Sequence, residues 1–387
     1  MRVLGACSLG GSGHWRPLLP LLQAAARRGD EVLVVAPEAL RDMVEGDGFH
    51  FVAGGAPPES EVAAIRERLP SASAQEASVL ANRELFGRLA TDAMLPTMSA
   101  TCRDWAPDLV LREPCEYASA IVANDRSIPW AQVACSLAEV EWGSIILASP
   151  SLERHRSGLT GRLRVPPYLT SFPKQLDPSP FAATIRFHVP SPQSSPMPDW
   201  WGGSDAPLVY LTLGTVLGHM TIAADQYRLV IAALKDLDVR VLLTVGGRFD
   251  PAELGDVPAL VHVEQWVDQA RVLTEADLVV CHGGSGTVFG AVAAGVPLVV
   301  LPSFADQFAN GRLVAGHGLG LVVLAEQDGE SAERRTLGPT DLPSISAAIS
   351  TVLAGPRFRA RAQEVSDALA ATTTPDQLLS DLRSGPW

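Results

Sequence analysis

A strand, a glycine turn, a helix and a second strand occupy the first 35 or so residues, and this pattern restricts the chain to an α/β architecture. Val3 to Ala6 is a short apolar run, glycines cluster from Gly10 to Gly13, and Trp15 to Arg28 carries Leu18, Leu21, Leu22 and Ala25 at helical spacing. Glu31 to Val35 is apolar again. Such a βαβ unit builds a parallel sheet with a right-handed crossover. Further strands are expected at Leu109 to Leu111 and Ala131 to Ala134, with helices around Glu76 to Ala90 and Tyr117 to Ala123.

The same alternation starts afresh at Leu208. A strand runs to Leu213 and turns at Gly214-Thr215; helix Ala224 to Leu234 follows, then strands Val239 to Val245 and Leu260 to Val263. Helix Gln269 to Thr274, strand Leu278 to Cys281, helix Gly286 to Ala294 and strand Leu298 to Leu301 complete the set. Between the two halves, from Pro150 to about Pro207, prolines such as Pro166, Pro167, Pro173, Pro178 and Pro180 interrupt every helical run. Prolines stiffen a connection into extended segments. The expected organisation is therefore a Rossmann-like domain over residues 1–190, a linker over 191–206, and a second Rossmann-like domain over 207–387 facing the first, its terminal helices free to pack back on it.

Charge narrows the partners. Thirty basic against 43 acidic side chains leave a net charge of −13, which repels nucleic acid and anionic membrane surfaces. No run of 18 apolar residues and no charged leader with an apolar stretch behind it is present, so a cytoplasmic protein is expected. The five cysteines are scattered, with neither a disulfide framework nor a zinc spacing.

The most informative stretch follows the strand ending at Cys281. His282-Gly283-Gly284-Ser285-Gly286-Thr287 runs straight into a helix. A helix start leaves backbone N–H groups unpaired and carries about half a positive charge, so such a junction suits a phosphate or diphosphate. The same glycines also suit a bare strand-to-helix turn with Ser285 as its cap. The stretch has neither the Lys of a Walker A loop nor the spacing of a G-x-G-x-x-G fingerprint. After the next strand, at the same carboxyl edge, Asp306 and Gln307 can bond sugar hydroxyls, and Asp306 equally suits a helix cap. After a third, Trp266-Val267 offers a flat indole for a base, or an ordinary core residue.

Taken in order, Trp266-Val267, His282 to Thr287, Gly295-Val296-Pro297, and Asp306-Gln307 with Asn310 resemble the donor-binding signature of family 1 glycosyltransferases, in particular bacterial enzymes that decorate antibiotics with deoxysugars. Gly13-His14-Trp15-Arg16-Pro17 is similar to the G-H-x-x-P loop of that family, and Gly214-Thr215 to its first carboxy-domain turn. The resemblance implies a GT-B fold, two facing Rossmann-like domains with an interdomain cleft, the acceptor bound on the first and the donor on the second. It implies transfer of a deoxy- or aminosugar from a TDP-sugar, in preference to a UDP-sugar, to a hydroxyl of a hydrophobic natural-product aglycone, with inversion. No metal and no cofactor are expected, since the glycine loop takes the role that a divalent ion fills elsewhere.

By the same resemblance His14 is the catalytic base. An imidazole with a pKa near 6.5 is well placed to take a proton from an attacking hydroxyl. Glu113 is the expected carboxylate partner because it follows the strand Leu109 to Leu111, whereas Asp108 opens that strand at the far edge; Glu139 and Glu141 stand in reserve. Trp130, Trp142, Tyr168 and Phe172 are candidates for an aglycone pocket. Asp268 replaces the proline that often follows the Trp-Val pair, and the stretch from Ser151 to Tyr168 is shorter than in relatives, so the acceptor, a homodimer and an activator protein are all left open. Two other readings share the architecture: a nucleotide-sugar 2-epimerase, and a non-catalytic homologue serving as a binding or activating subunit.

Overall fold

The computed structural model describes residues 1–8, 11–190, 197–214, 222–304, 306–325 and 336–384. The chain divides into two compact units: residues 1–189 with 372–387, and residues 190–371. The second unit thus begins ahead of the expected linker, and the last segment of the chain belongs to the first unit.

The first unit is built on strands β1 (Arg2–Ala6), β2 (Glu31–Ala36), β3 (His50–Ala53), β4 (Leu109–Arg112), β5 (Trp130–Val133), β6 (Pro167–Thr170) and β7 (Ala183–Arg186). They form one sheet in the order β3-β2-β1-β4-β5-β6-β7, with every pairing parallel. Side chains alternate between two cores, as the pleat demands. Val3, Leu109, Leu111, Ala131 and Leu169 face a core completed by the helix Leu19–Arg27; Leu4, Val110, Trp130 and Tyr168 face one completed by the helices Thr91–Asp104, Ala118–Arg126 and Ala138–Leu152.

Two expectations are corrected here. The single helix expected from Trp15 to Arg28 is broken into Ser12–Trp15 and Leu19–Arg27, because Pro17 has no N–H to offer the carbonyl of Gly13. The stretch after Pro150 supplies β6 and β7 before the chain leaves the unit. Pro167 occupies the first residue of β6, a position where a missing N–H is tolerated.

The second unit comprises β8 (Leu208–Thr212), β9 (Arg240–Thr244), β10 (Val261–Glu264), β11 (Leu278–Cys281), β12 (Leu298–Val300) and β13 (Gly320–Val322), again all parallel, in the order β10-β9-β8-β11-β12-β13. Its largest core gathers Val209, Leu211, Val241, Leu243 and Val280 against the helices Ala223–Leu234 and Leu342–Ala354. After the helix Pro356–Ala370 the chain returns to the first unit. The helix Pro375–Ser384 sinks Leu378, Leu379 and Leu382 into the core around Leu21 and Leu22, and Thr373 bridges Phe187. Among the described residues, no helix is long and apolar enough to cross a membrane.

In each sheet the strand order reverses once, between β1 and β4 in the first and between β8 and β11 in the second. Loops leaving the carboxyl ends of those neighbouring strands diverge to opposite faces, which leaves a crevice where open α/β sheets bind ligands.

Candidate active site

At the first reversal, β1 delivers Cys7 and Ser8 and the short helix carrying His14, while β4 delivers Glu113. His14 Nδ1 lies 2.8 Å from Glu113 Oε2. The carboxylate is wholly buried and the imidazole keeps 29% of its side chain exposed. The other Glu113 oxygen accepts from Ser8 N at 3.0 Å and Ser8 Oγ at 2.5 Å, and Oε2 also accepts from Cys115 N at 2.8 Å. Four donors therefore fill a carboxylate's acceptor capacity. Burial by itself raises the Glu113 pKa, but the neighbouring His14 charge and the hydrogen bonds from His14, Ser8 and Cys115 outweigh it and hold the carboxyl below its ordinary range. An ionised Glu113 holds the proton of a neutral His14 on Nδ1, which makes Nε2 the ring's acceptor atom.

The Glu113 loop is itself held from beneath. Arg112, fully buried on β4, donates from Nη2 to Pro114 O at 2.6 Å, from Nε to Glu116 O, and from Nη1 to Gln132 Oε1 at 2.7 Å. Gln132 donates in turn to Glu141, whose other oxygen accepts from Cys135 N and Ser136 N, each at 2.7 Å. Burial pushes the Glu141 carboxyl up to about 8. A chain of satisfied polar groups thus links three neighbouring strands to the residue that orients His14, and such networks rigidify when every member is paired.

At the second reversal, β8 leads to Gly214 and β11 to His282. The His282 ring lies between two glycines: a Cβ on Gly214 would come 2.6 Å from it, and one on Gly284 would strike it outright. Gly283 turns the chain with φ +88°, where a side chain would also meet Val300. The helix Ser285–Ala293 then begins with Gly284 as N-cap, a residue with no side chain to cap it. Ser285 is not that cap. Its hydroxyl donates to Asp306 Oδ2 at 2.6 Å and accepts from Asn310 Nδ2 at 2.9 Å, and Asn310 also holds Gly283 O at 2.8 Å. Burial lowers the His282 pKa to about 4, against the pull of Asp306 and the Thr212 backbone, so the ring is neutral at pH 7. Its Nδ1 is buried and bonded to no described residue. Nearby, Trp266 after β10 is 66% exposed, an indole face open to a planar partner rather than a core residue.

Two family models cover most of the chain: the erythromycin biosynthesis protein CIII-like N-terminal domain over residues 23–214 and the C-terminal domain over 228–384. The chain is 30% identical to the L-demethylnoviosyl transferase of Streptomyces niveus across 97% of its own length and 96% of that protein's. It belongs to the erythromycin CIII-like glycosyltransferases. The elloramycin glycosyltransferase of Streptomyces olivaceus is 31% identical over 99% of this chain and 97% of its own. Among solved structures, the spinosyn rhamnosyltransferase SpnG superposes with a TM-score of 0.79 at 26% identity, covering 99% of this chain and 100% of that one, and it has been solved with thymidine diphosphate and with the spinosyn aglycone. The two doubly wound sheets are thus the two halves of a GT-B glycosyltransferase.

In this CIII-like enzyme several expected residues take other places. Trp130, Tyr168 and Phe172 are core: they are buried, Tyr168 stacks on Phe181 with ring centres 4.1 Å apart, and Trp130 lies under Arg112. None of the three has a face to offer an aglycone. Trp142 is half-buried against Phe181 and Arg164. Gln307 is buried, and its Oε1 accepts from Ser303 N at 2.8 Å and Phe304 N at 3.0 Å, so its carbonyl shapes the turn after β12. Thr287 is buried within the first turn of its helix, its N–H on Gly284 O. Gly286 is exposed and Val267 half-buried. Thr215 lies outside the described residues. Of the reserve carboxylates, Glu141 serves the buried network and Glu139 is exposed; Asp108 accepts from Arg2 N at the opposite edge of the sheet.

One group of three possible metal donors occurs among the described residues: His14, Glu113 and Cys115, with ligand atoms within 4.8 Å of one another. Glu113 is already saturated by its four donors, and burial, then the nearby Glu113 charge, pushes the Cys115 thiol well up, away from the thiolate that a metal would need. The set is a hydrogen-bonded cluster. Ser8, Arg112 and Gln132 were not singled out from sequence, since a polar residue in an apolar strand carries no mark of the partner it will find.

Proposed function

We propose that the chain moves a deoxysugar from a TDP-sugar to a hydroxyl of a hydrophobic aglycone, with inversion at the anomeric carbon. The bond between His14 and the buried Glu113 at the first strand-order reversal carries this reading. His14 Nε2 takes the proton of the acceptor hydroxyl as that oxygen forms its bond to the anomeric carbon. The bond from the anomeric carbon to the diphosphate breaks, and TDP leaves with the electron pair. The developing phosphate charge is met by the N-terminus of Ser285–Ala293, whose glycine N-cap leaves the backbone open to a close approach. Trp266 stacks on the base. That SpnG is solved with thymidine diphosphate and with its aglycone supports the choice of both ligands. No metal enters the scheme.

The test is His14→Ala. The variant is expected to keep TDP binding, read as a thermal shift, and to lose transfer by at least a factor of about 100; full activity would place the base elsewhere. The anomeric coupling constant of the product, compared with that of the donor, checks inversion.

A further inference from the structure

With three expected aromatics buried, the acceptor needs another apolar surface beside His14, and the structure holds one. Leu80–Ala90 is a π-helix, an eleven-residue stretch whose wide turns are rare in proteins. Its Phe86 ring lies 6.0 Å from the His14 imidazole, centre to centre, with the two planes inclined by 31°. Phe86 is half-buried, and residues 81–85 beside it are likewise only partly covered.

The ring is held in place from behind. A Cβ on Gly87 would meet Asn82 O at 2.9 Å and Ala148 Cβ at 3.0 Å, so the π-helix seats directly on the helix Ala138–Leu152. Arg83 Nε donates to Leu147 O at 3.3 Å, and Ser151 Oγ donates to Arg83 O at 3.1 Å. Thr91 Oγ1 donates to Phe86 O at 2.8 Å, satisfying a carbonyl at the end of the wide turn. Phe86, partly covered by the core of the first unit, is therefore carried beside His14 on a fixed backbone.

We propose that Phe86 is a specificity-determining acceptor contact and that the acceptor is a planar phenol. This rests on the assignment of His14 as the base. Two flat rings 6.0 Å apart and inclined by 31° favour a flat ring beside them, because aromatic contact adds to what apolar area alone supplies. A ring lying against Phe86 has its hydroxyl within reach of the imidazole. A phenol, with a pKa near 10, also gives up its proton to an imidazole far more readily than an aliphatic alcohol does.

The test is a matched pair of probes, 2-naphthol and its saturated counterpart decahydro-2-naphthol, titrated into the TDP-saturated protein. Wild type is expected to bind 2-naphthol at least tenfold more tightly than the saturated alcohol. Phe86→Leu, which keeps apolar bulk and removes the aromatic face, is expected to abolish that preference, and Phe86→Tyr to retain it, with TDP affinity unchanged in both. A preference untouched by Phe86→Leu, or no preference for 2-naphthol in wild type, overturns the proposal. Failure of the base assignment is seen separately: His14→Ala would then transfer sugar normally while the effect of Phe86→Leu on probe binding persisted.

Discussion

At the scale of single residues, one carboxylate is built to stay charged and another to become neutral. Glu113 is held below its ordinary pKa, so its ionised form, and the stability that this form brings, persists at neutral pH and is lost only as pH falls through the lowered value. Glu113→Gln keeps the shape and removes the charge; kcat is expected to fall by a factor of about 100 or more while TDP affinity is kept. Equal kcat for the variant and wild type would show that the carboxylate does not act through His14. Glu141 works in the opposite sense. Its folded-state pKa of about 8 exceeds the ordinary carboxylate value, so between roughly pH 4.5 and 8 the folded chain holds a proton that the unfolded chain has released. Folding stability contributed by this group falls as pH rises through that window and is level above it. Glu141→Gln is expected to flatten the slope of unfolding free energy against pH there by up to one proton; an unchanged slope would show that Glu141 is ionised throughout. The choice of Glu113 over Asp108 was legible in the sequence, because position at the end or the start of a strand decides which edge a residue occupies. The rest of the network was not, since the partners of Ser8, Arg112 and Gln132 come from strands separated by about a hundred and about twenty residues, and periodicity does not record pairing.

At the scale of elements, the strand-to-helix junction of the second sheet was legible for the same reason that it works: glycines mark where backbone must come close. Its internal logic emerged only in three dimensions. Gly214 and Gly284, on different strands' loops, are both required by one imidazole, which lies between them. Gly284→Ala is expected to displace His282 and weaken TDP binding at least tenfold, measured by calorimetry, with Ala at the exposed Gly286, where nothing lies within 4 Å, as the tolerated control for space alone. Equal TDP affinities for the Gly284 variant and wild type would mean that the glycine loop does not meet the diphosphate. Helical spacing in the sequence runs straight through Pro17, and the prolines after Pro150 read as breaking every helical run; position decides otherwise. A helix split at Pro17, a helix Ala138–Leu152 that contains Pro150 near its end, and β6 with Pro167 at its first residue all obey rules of position that a count of prolines ignores.

At the scale of the whole molecule, the chain passes between its two units twice, once near Val189 and again near Ala371, so the first unit is completed by residues from Thr372 onward. Leu378, Leu379 and Leu382 lie in the core beside Leu21 and Leu22, all five at most 4% exposed, and Arg27 pairs with Asp376 at 2.8 Å on the surface. Replacing one buried leucine by alanine costs about 2–5 kcal/mol, whereas an exposed ion pair contributes under about 1 kcal/mol. The leucines therefore decide the return of the chain. Leu379→Ala is expected to lower the unfolding temperature of the first unit by several degrees, and truncation after Ala371 to lower it much further by removing all three leucines together. Neither change touches the glycine loop or Trp266. TDP at a hundredfold excess over its Kd is therefore expected still to stabilise the second unit by about 2.7 kcal/mol in both proteins. Scanning calorimetry with and without TDP separates the two effects. A truncated chain that unfolds at the wild-type temperature would show that the helix Pro375–Ser384 is dispensable, and loss of the TDP-dependent shift would show that the second unit cannot keep its donor site without the return.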